Sequence, residues 1–384
     1  MKRSLIPLIT VAFLLLSACG PKTQTPAPSL TPEATLATIP PTITPEPLTT
    51  EASAQTEPVA TETPAANIPT DNPAANVDYS AAVYLDDRSN PAAMLYSLAN
   101  SFNRHEFIRG YSYWSSPMDY LGILDAFSNH YANVASVQVT LGTIYSEGAA
   151  GSIYYSAPVV FTFTHVDNTI EKSSACFLLR FPQPANFAEP PIDLLHIEKG
   201  GFTAVTPGTS DEDALITACY GTDYSTAAAG NPPEPHALES LANLGPDNYI
   251  DNRSGAVEMV SSLFNAINRK EYVRAFSYWQ DPAAVGNYAD YAAGFADTGL
   301  ISATFGTGLS DAGAGQFYYQ VPVTQTVQTT TGATQVFVGC YTLHLSNPGM
   351  QAVMPFEPLG ITKGKFALVA NGLDTTALME RACN

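Results

Sequence analysis

The sequence predicts an α+β protein made of two tandem copies of one domain, each with N-terminal helices packed on a mainly antiparallel sheet. Three observations predict it. The stretch "NRHEFIRGYSYWSSP" at 103–117 returns as "NRKEYVRAFSYWQDP" at 268–282, an offset of 165. Each copy runs through helix-periodic segments before strand-like ones. The four cysteines after residue 19 fall into two pairs of equal spacing, Cys176 with Cys219 and Cys340 with Cys383, each 43 positions apart.

The elements follow in order from the N-terminus. Lys2 and Arg3 precede an apolar run from Leu5 to Leu16, and Leu16-Ser17-Ala18-Cys19 closes it. This arrangement resembles a bacterial lipoprotein signal, which implies cleavage after residue 18 and lipid on the Cys19 thiol. The run is shorter than the roughly 20 residues a membrane span needs, so the lipid is the expected anchor. Residues 19–79 read as a stalk. Between Pro21 and Asp78 stand twelve Pro and thirteen Thr and no aromatic residue, a composition that favours extended, solvated backbone. Such a stalk reaches at most roughly 180 Å as a polyproline rod.

The first copy covers 80–220. Ser89 or Asn90 before Pro91 signals a helix start, and Met94, Leu95, Leu98 and Phe102 then recur at helical spacing. A second helix is expected from Glu106, with Phe107, Tyr111 and Trp114 on one stripe. A third covers Leu121 to Tyr131, matched by Asn287 to Phe295. The runs "ASVQVTLG", "SIYYSAPVVFTFTHV", "SACFLLRF" and "LLHIEKGGFTAV" are rich in β-branched and aromatic residues and read as strands. "DEDALITAC" and its counterpart "DTTALMERAC" close the copies as short helices. Residues 221–245, with "AAAGNPPEP", form the linker, and 246–384 the second copy. Beyond the opening motif, Tyr84, Asp86, Arg88 and Ser89 match Tyr249, Asp251, Arg253 and Ser254. After a one-residue slip the sheet residues match at offset 164, Cys176 with Cys340 and Cys219 with Cys383 included. Each copy carries its own helices, strands and apolar stripe, so each is expected to fold as a domain.

This order of elements, with the turn "N-R-x-E-aromatic-x-R-x-aromatic-S-Y-W", resembles the nuclear transport factor 2-like (SnoaL-like) cone fold over both copies. The resemblance implies a curved sheet wrapped around a pocket, in a family of isomerases, dehydratases, ligand carriers and envelope proteins; it implies no single reaction. In such a pocket Tyr113, Trp114, Tyr278 and Trp279 are the candidate ligand-stacking residues. Arg88 with Asp86, and Arg253 with Asp251, read as ion pairs at a domain edge.

Composition narrows the function. The formal charge is −19 and charged residues make up 13% of the chain, with no basic stripe to grip a phosphate backbone, so nucleic acid is not an expected partner. No histidine is duplicated between the copies: His105 faces Lys270, His130 faces Gly294, His165 faces Thr329, His196 faces Gly360, His344 faces Arg180, and His236 lies in the linker. Asp125 with His130 is the best dyad available to an enzyme, and five residues apart on one helix they do not share a face. No zinc, calcium, phosphate-loop or nucleophile-elbow motif occurs, and no cofactor or metal is suggested. In an exported chain the four remaining cysteines read as disulfides, one within each copy. The expectation is a lipid-anchored, extracytoplasmic binding protein, non-catalytic, whose partners are the membrane and a small molecule or envelope component. The alternatives are an isomerase or hydrolase with one working copy, and a purely structural or adhesive module.

Overall fold

The computed structural model describes residues 77–222, 243–370 and 373–384. Residues 68–384 belong to one compact unit. Within it stand two antiparallel sheets, each preceded by helices, in the tandem α+β arrangement the sequence predicts. The lipobox, most of the stalk and most of the linker lie outside the described residues.

In the first copy α1 (Pro91–Asn103) starts where the sequence places it. Asn90 accepts from the backbone N–H of Ala93, and Pro91 occupies the first turn, where its missing N–H costs nothing. Met94, Leu95, Leu98 and Phe102 are buried against the sheet. The second helix, α2 (Phe107–Tyr111), is shorter than expected. It stops before Trp114, which leaves the helical stripe and instead bridges Ile197 in the sheet. The expected third helix starts three residues late, as α4 (Leu124–Tyr131), and a separate short helix, α3 (Pro117–Leu121), precedes it; Gly122 at φ +72° parts the two. The sheet runs β1 (Val134–Leu141), β3 (Ser152–His165), β4 (Ile170–Pro182), β5 (His196–Lys199), with β2 (Tyr145–Ala149) added to β3 and β6 (Thr203–Ala204) to β4. Strand β2 lies outside the strand-like runs of the sequence; its partly exposed "YSEGA" carries no apolar alternation. Helix α5 (Asp211–Ala218) closes the copy.

The second copy repeats the plan with α6 (Ala256–Asn268), α7 (Tyr272–Ser277), α8 (Tyr288–Ala293), β7 (Thr298–Phe305), β8 (Leu309–Gly313), β9 (Gln316–Thr329), β10 (Thr334–Ser346), β11 (Gly360–Leu368) and α9 (Thr375–Met379), its sheet ordered β11-β10-β9-β7 with β8 beside β9. Both disulfides are formed. Cys176 of β4 joins Cys219 just past α5, and Cys340 of β10 joins Cys383 past α9, with Cα–Cα distances of 4.9 and 5.1 Å. Each ties the closing helix to its sheet, within ordinary disulfide geometry.

The copies meet along a reciprocal seam formed by the segments that precede α1 and α6. Asp87 pairs with Asn252; Arg88 N–H donates to the Asp251 carbonyl (2.8 Å) and Arg253 N–H to the Asp86 carbonyl (2.7 Å). The Ser254 hydroxyl accepts from Asp86 N–H and the Ser89 hydroxyl from Asp251 N–H, both at 2.9 Å. Tyr249, from the second copy, stacks edge-on against Phe181 of the first at 4.7 Å, while Tyr84 packs on the core of the second. The Arg–Asp pairs expected at a domain edge therefore lie inside the molecule, where the two copies join.

Candidate functional site

The duplicated motif builds one network twice. In the first copy Arg109 is fully buried. It donates to Glu106 (2.7 Å), the carbonyls of Leu85 (2.6 Å) and Ser97 (3.1 Å), the Tyr113 hydroxyl (3.2 Å) and Asn100 Oδ1 (2.8 Å). Arg274 repeats this with Glu271, the Ile250 carbonyl, Tyr278 and Asn265. Burial works against both guanidinium charges, and the neighbouring Tyr, Glu and Asp groups more than restore them. Tyr113 then donates to Asp86 at 3.0 Å, and Tyr278 to Asp251 at 3.1 Å. These contacts link the turn between the first two helices to the seam segment, so the motif ties each copy to the surface that meets its neighbour. Charge-assisted, fully paired hydrogen bonds of this kind are what a buried arginine requires.

Ionisation at the seam follows from the same contacts. Burial would raise Asp86, but Arg88, Arg109 and Arg253 hold it below its ordinary value. Asp87 behaves oppositely: burial, with Asp251 and Asp86 nearby, pushes it up to about 6 although Ser89 hydrogen-bonds its carboxylate. Its Oδ2 accepts from Asn252 Nδ2 at 3.1 Å. Asp87 and Asn252 occupy equivalent positions in the repeat.

The four aromatic candidates have distinct surroundings. The rings of Tyr113 and Tyr278 are buried in the network just described. Trp114 is 4% exposed and donates from Nε1 to the Gly200 carbonyl at 3.1 Å. Gly200 is irreplaceable there: φ is +115° and a Cβ would stand 2.4 Å from the Cys176 carbonyl oxygen. Around Trp114 the interior of the first copy is filled by Phe102, Tyr131, Phe161, Phe163, Phe177 and Phe202, with neighbouring ring centroids 4.7 to 6.4 Å apart. In the second copy Gln325, Tyr341 and Tyr291 stand where the first has Phe161, Phe177 and Phe127. Gln325 hydrogen-bonds the Tyr341 hydroxyl. The Trp279 indole N–H lies beside the Tyr291 hydroxyl, but neither atom completes a well-formed hydrogen bond.

Asp125 and His130 both lie exposed on α4, and no hydrogen bond joins them. His105 contacts the Val134 carbonyl, His165 pairs with Glu171, His196 with Glu198, and His344 with Gln280 and Gln316. Among the described residues no cluster of His, Cys, Asp or Glu has the makings of a metal site.

An open groove of about 600 Å³ lies where the two copies meet at their surface. The first copy contributes Tyr111, Pro117, Met118, Asp119 and Leu124; the second contributes Val353 and Met354 from the loop after the 3-10 turn Pro348–Met350. Met118, Val353 and Met354 are 57%, 76% and 43% exposed. On the opposite side the equivalent loop of the first copy brings Glu189 up to Tyr288, whose hydroxyl is pushed up by burial and by that carboxylate. Sequence reasoning missed the groove because it joins short helices of the first copy to a loop of the second, segments that no local pattern connects. The signal was "QAVMPFEP", a run between strands in which Val353 and Met354 are apolar.

Comparison of the chain with known protein families, with curated proteins and with solved structures finds no match.

Proposed function

We propose that this chain is an exported lipoprotein anchored through Cys19, and that its paired domains, of nuclear transport factor 2-like (SnoaL-like) type, act by binding a small ligand or envelope partner and not by catalysis. Two formed disulfides are the mark of an oxidising, extracytoplasmic environment. No helix among the described residues is long and apolar enough to cross a membrane. The observation that carries the binding reading is the internal consumption of the repeated motif. Its arginines, glutamates and tyrosines are committed to one another, while the open feature at the joint between copies is apolar and suits ligand capture. The lipid anchor is tested by growing cells with labelled palmitate: the wild-type protein takes up label and stays with membranes, and Cys19→Ser loses both. Binding is tested by mass spectrometry of small molecules that co-purify with natively extracted protein.

A second reading, an isomerase or hydrolase with one working copy, draws on the polar interior of the second copy around Trp279, Tyr291, Gln325 and Tyr341. It requires turnover that Tyr291→Phe abolishes while folding is retained.

A further inference from the structure

We propose that the groove between the copies binds a cationic amphiphile, a single hydrocarbon chain with an ammonium-type head, the chain lying on Met118, Leu124, Val353 and Met354 and the head facing Asp119. The inference rests on the binding reading above and assigns it a place and a ligand class.

Three observations carry it. The groove is open to solvent along its length, and its mainly apolar walls include the thioethers of Met118 and Met354 and the aliphatic Leu124 and Val353, which adapt to a flexible chain. Among its lining residues Asp119 is the single charged one, and its carboxylate makes no ion pair or side-chain hydrogen bond among the described residues. A protein of net charge −19 repels anionic amphiphiles and concentrates cations around it, so the head group that complements both the local and the overall charge is positive.

The repeat itself supplies a contrast. At the positions equivalent to Val353 and Met354 the first copy has Glu189 and Pro190, and at Asp119 the second copy has alanine. The one-residue slip between offsets 165 and 164 falls in this same stretch, where α3 of the first copy is answered by the 3-10 turn Pro282–Ala284. The two joints have therefore diverged at the groove while the rest of the motif stayed duplicated.

The test uses residues 19–384 with Cys19→Ser, so that no lipid or detergent competes. Calorimetric titration below the micellar concentration compares decyltrimethylammonium, decyl maltoside and decyl sulfate. Methyl-labelled methionine spectra locate the site. The ammonium amphiphile is expected to bind about tenfold or more tighter than the sulfate, shifting Met118 and Met354 but not the core residues Met94 and Met259. Asp119→Asn should lower ammonium affinity about two- to fivefold, the scale of a rim-exposed charge pair, and leave the maltoside unchanged. Val353→Asp with Met354→Gln should weaken binding of the neutral maltoside about tenfold or more, and Glu189→Gln on the opposite joint should change nothing. Equal binding of sulfate and ammonium overturns the proposal, as do shifts confined to core methionines or insensitivity to the groove variants. If none of the three probes binds, the groove assignment fails, while palmitate labelling and co-purified ligands still decide the broader reading independently.

Discussion

Substituting Asn252 by Asp sets a second carboxylate against Asp87 at the centre of the seam. In the native protein Asp87 Oδ2 accepts from Asn252 Nδ2 at 3.1 Å, and burial raises Asp87 from 3.8 to about 6. At 1.36 kcal/mol per pH unit, that move is a penalty of about 3 kcal/mol carried by the ionised group. The sign is fixed by the direction: a raised acid favours folding fully below its unfolded value near 3.8, and this contribution is lost as pH climbs through about 6. In Asn252→Asp the amide donor disappears and like charges face each other, so the pair must share a proton or leave a buried charge uncompensated. The added cost at pH 8 is expected to be about 3 to 5 kcal/mol, falling toward zero near pH 4. Urea unfolding followed by tryptophan fluorescence reports both halves, because Trp114 and Trp279 are the two tryptophans and each copy has one. The exchange double variant Asp87→Asn with Asn252→Asp restores one acceptor facing one donor and is expected within about 1 kcal/mol of the native protein, a strongly favourable coupling in the cycle. Asp87→Asn alone removes the carboxylate and should flatten the profile between pH 4 and 8. The reasoning is refuted if Asn252→Asp matches the native protein at pH 8, or if the double variant is no more stable than that single one.

Arg274→Met is expected to destabilise by about 3 to 5 kcal/mol, since Tyr278, Asn265 and the Ile250 carbonyl lose a buried donor while Glu271 keeps only Arg269; thermal unfolding checks it. Replacing Cys340 and Cys383 together by Ser should cost about 3 to 4 kcal/mol on the chain-entropy account, and peptide mapping without reductant should recover Cys176–Cys219 and Cys340–Cys383. Residues 77–222 and 243–384 produced as separate chains should co-purify through the seam, and Asn252→Asp should weaken that association at pH 8 more than at pH 5.

The elements with strong local signals were readable before the structure. Asn90-Pro91 and the Met94, Leu95, Leu98, Phe102 spacing define α1, and equal cysteine spacing anticipated pairs that are now seen bonded. Arg109 shows where local reading stops. Two residues past Phe107, it falls off the Phe107, Tyr111, Trp114 stripe, yet it is among the most buried residues, because its partners Leu85, Ser97 and Asn100 come from earlier segments that no periodicity links to it. Gly122 likewise delays to Leu124 the helix that the apolar pattern begins at Leu121. The groove was illegible for the same reason on a larger scale, since Met118 and Met354 lie 236 positions apart and meet only because the seam brings the copies together.

The pairing of Asp87 with Asn252 has a consequence for how such a joint is made. An isologous dimer of identical subunits must set every axial residue against itself, so a carboxylate there faces a second carboxylate and never an amide. Covalent fusion of the copies removes that restriction. One side of the axis can carry a carboxylate acceptor and the other an amide donor, a pairing of unlike residues that a symmetric assembly cannot make. The same freedom lets the flanking joints differ, one lined by Met118, Val353 and Met354 and the other by Glu189 and Tyr288. Two copies of one plan thus make a two-faced molecule, with its asymmetry concentrated at the places where the halves touch.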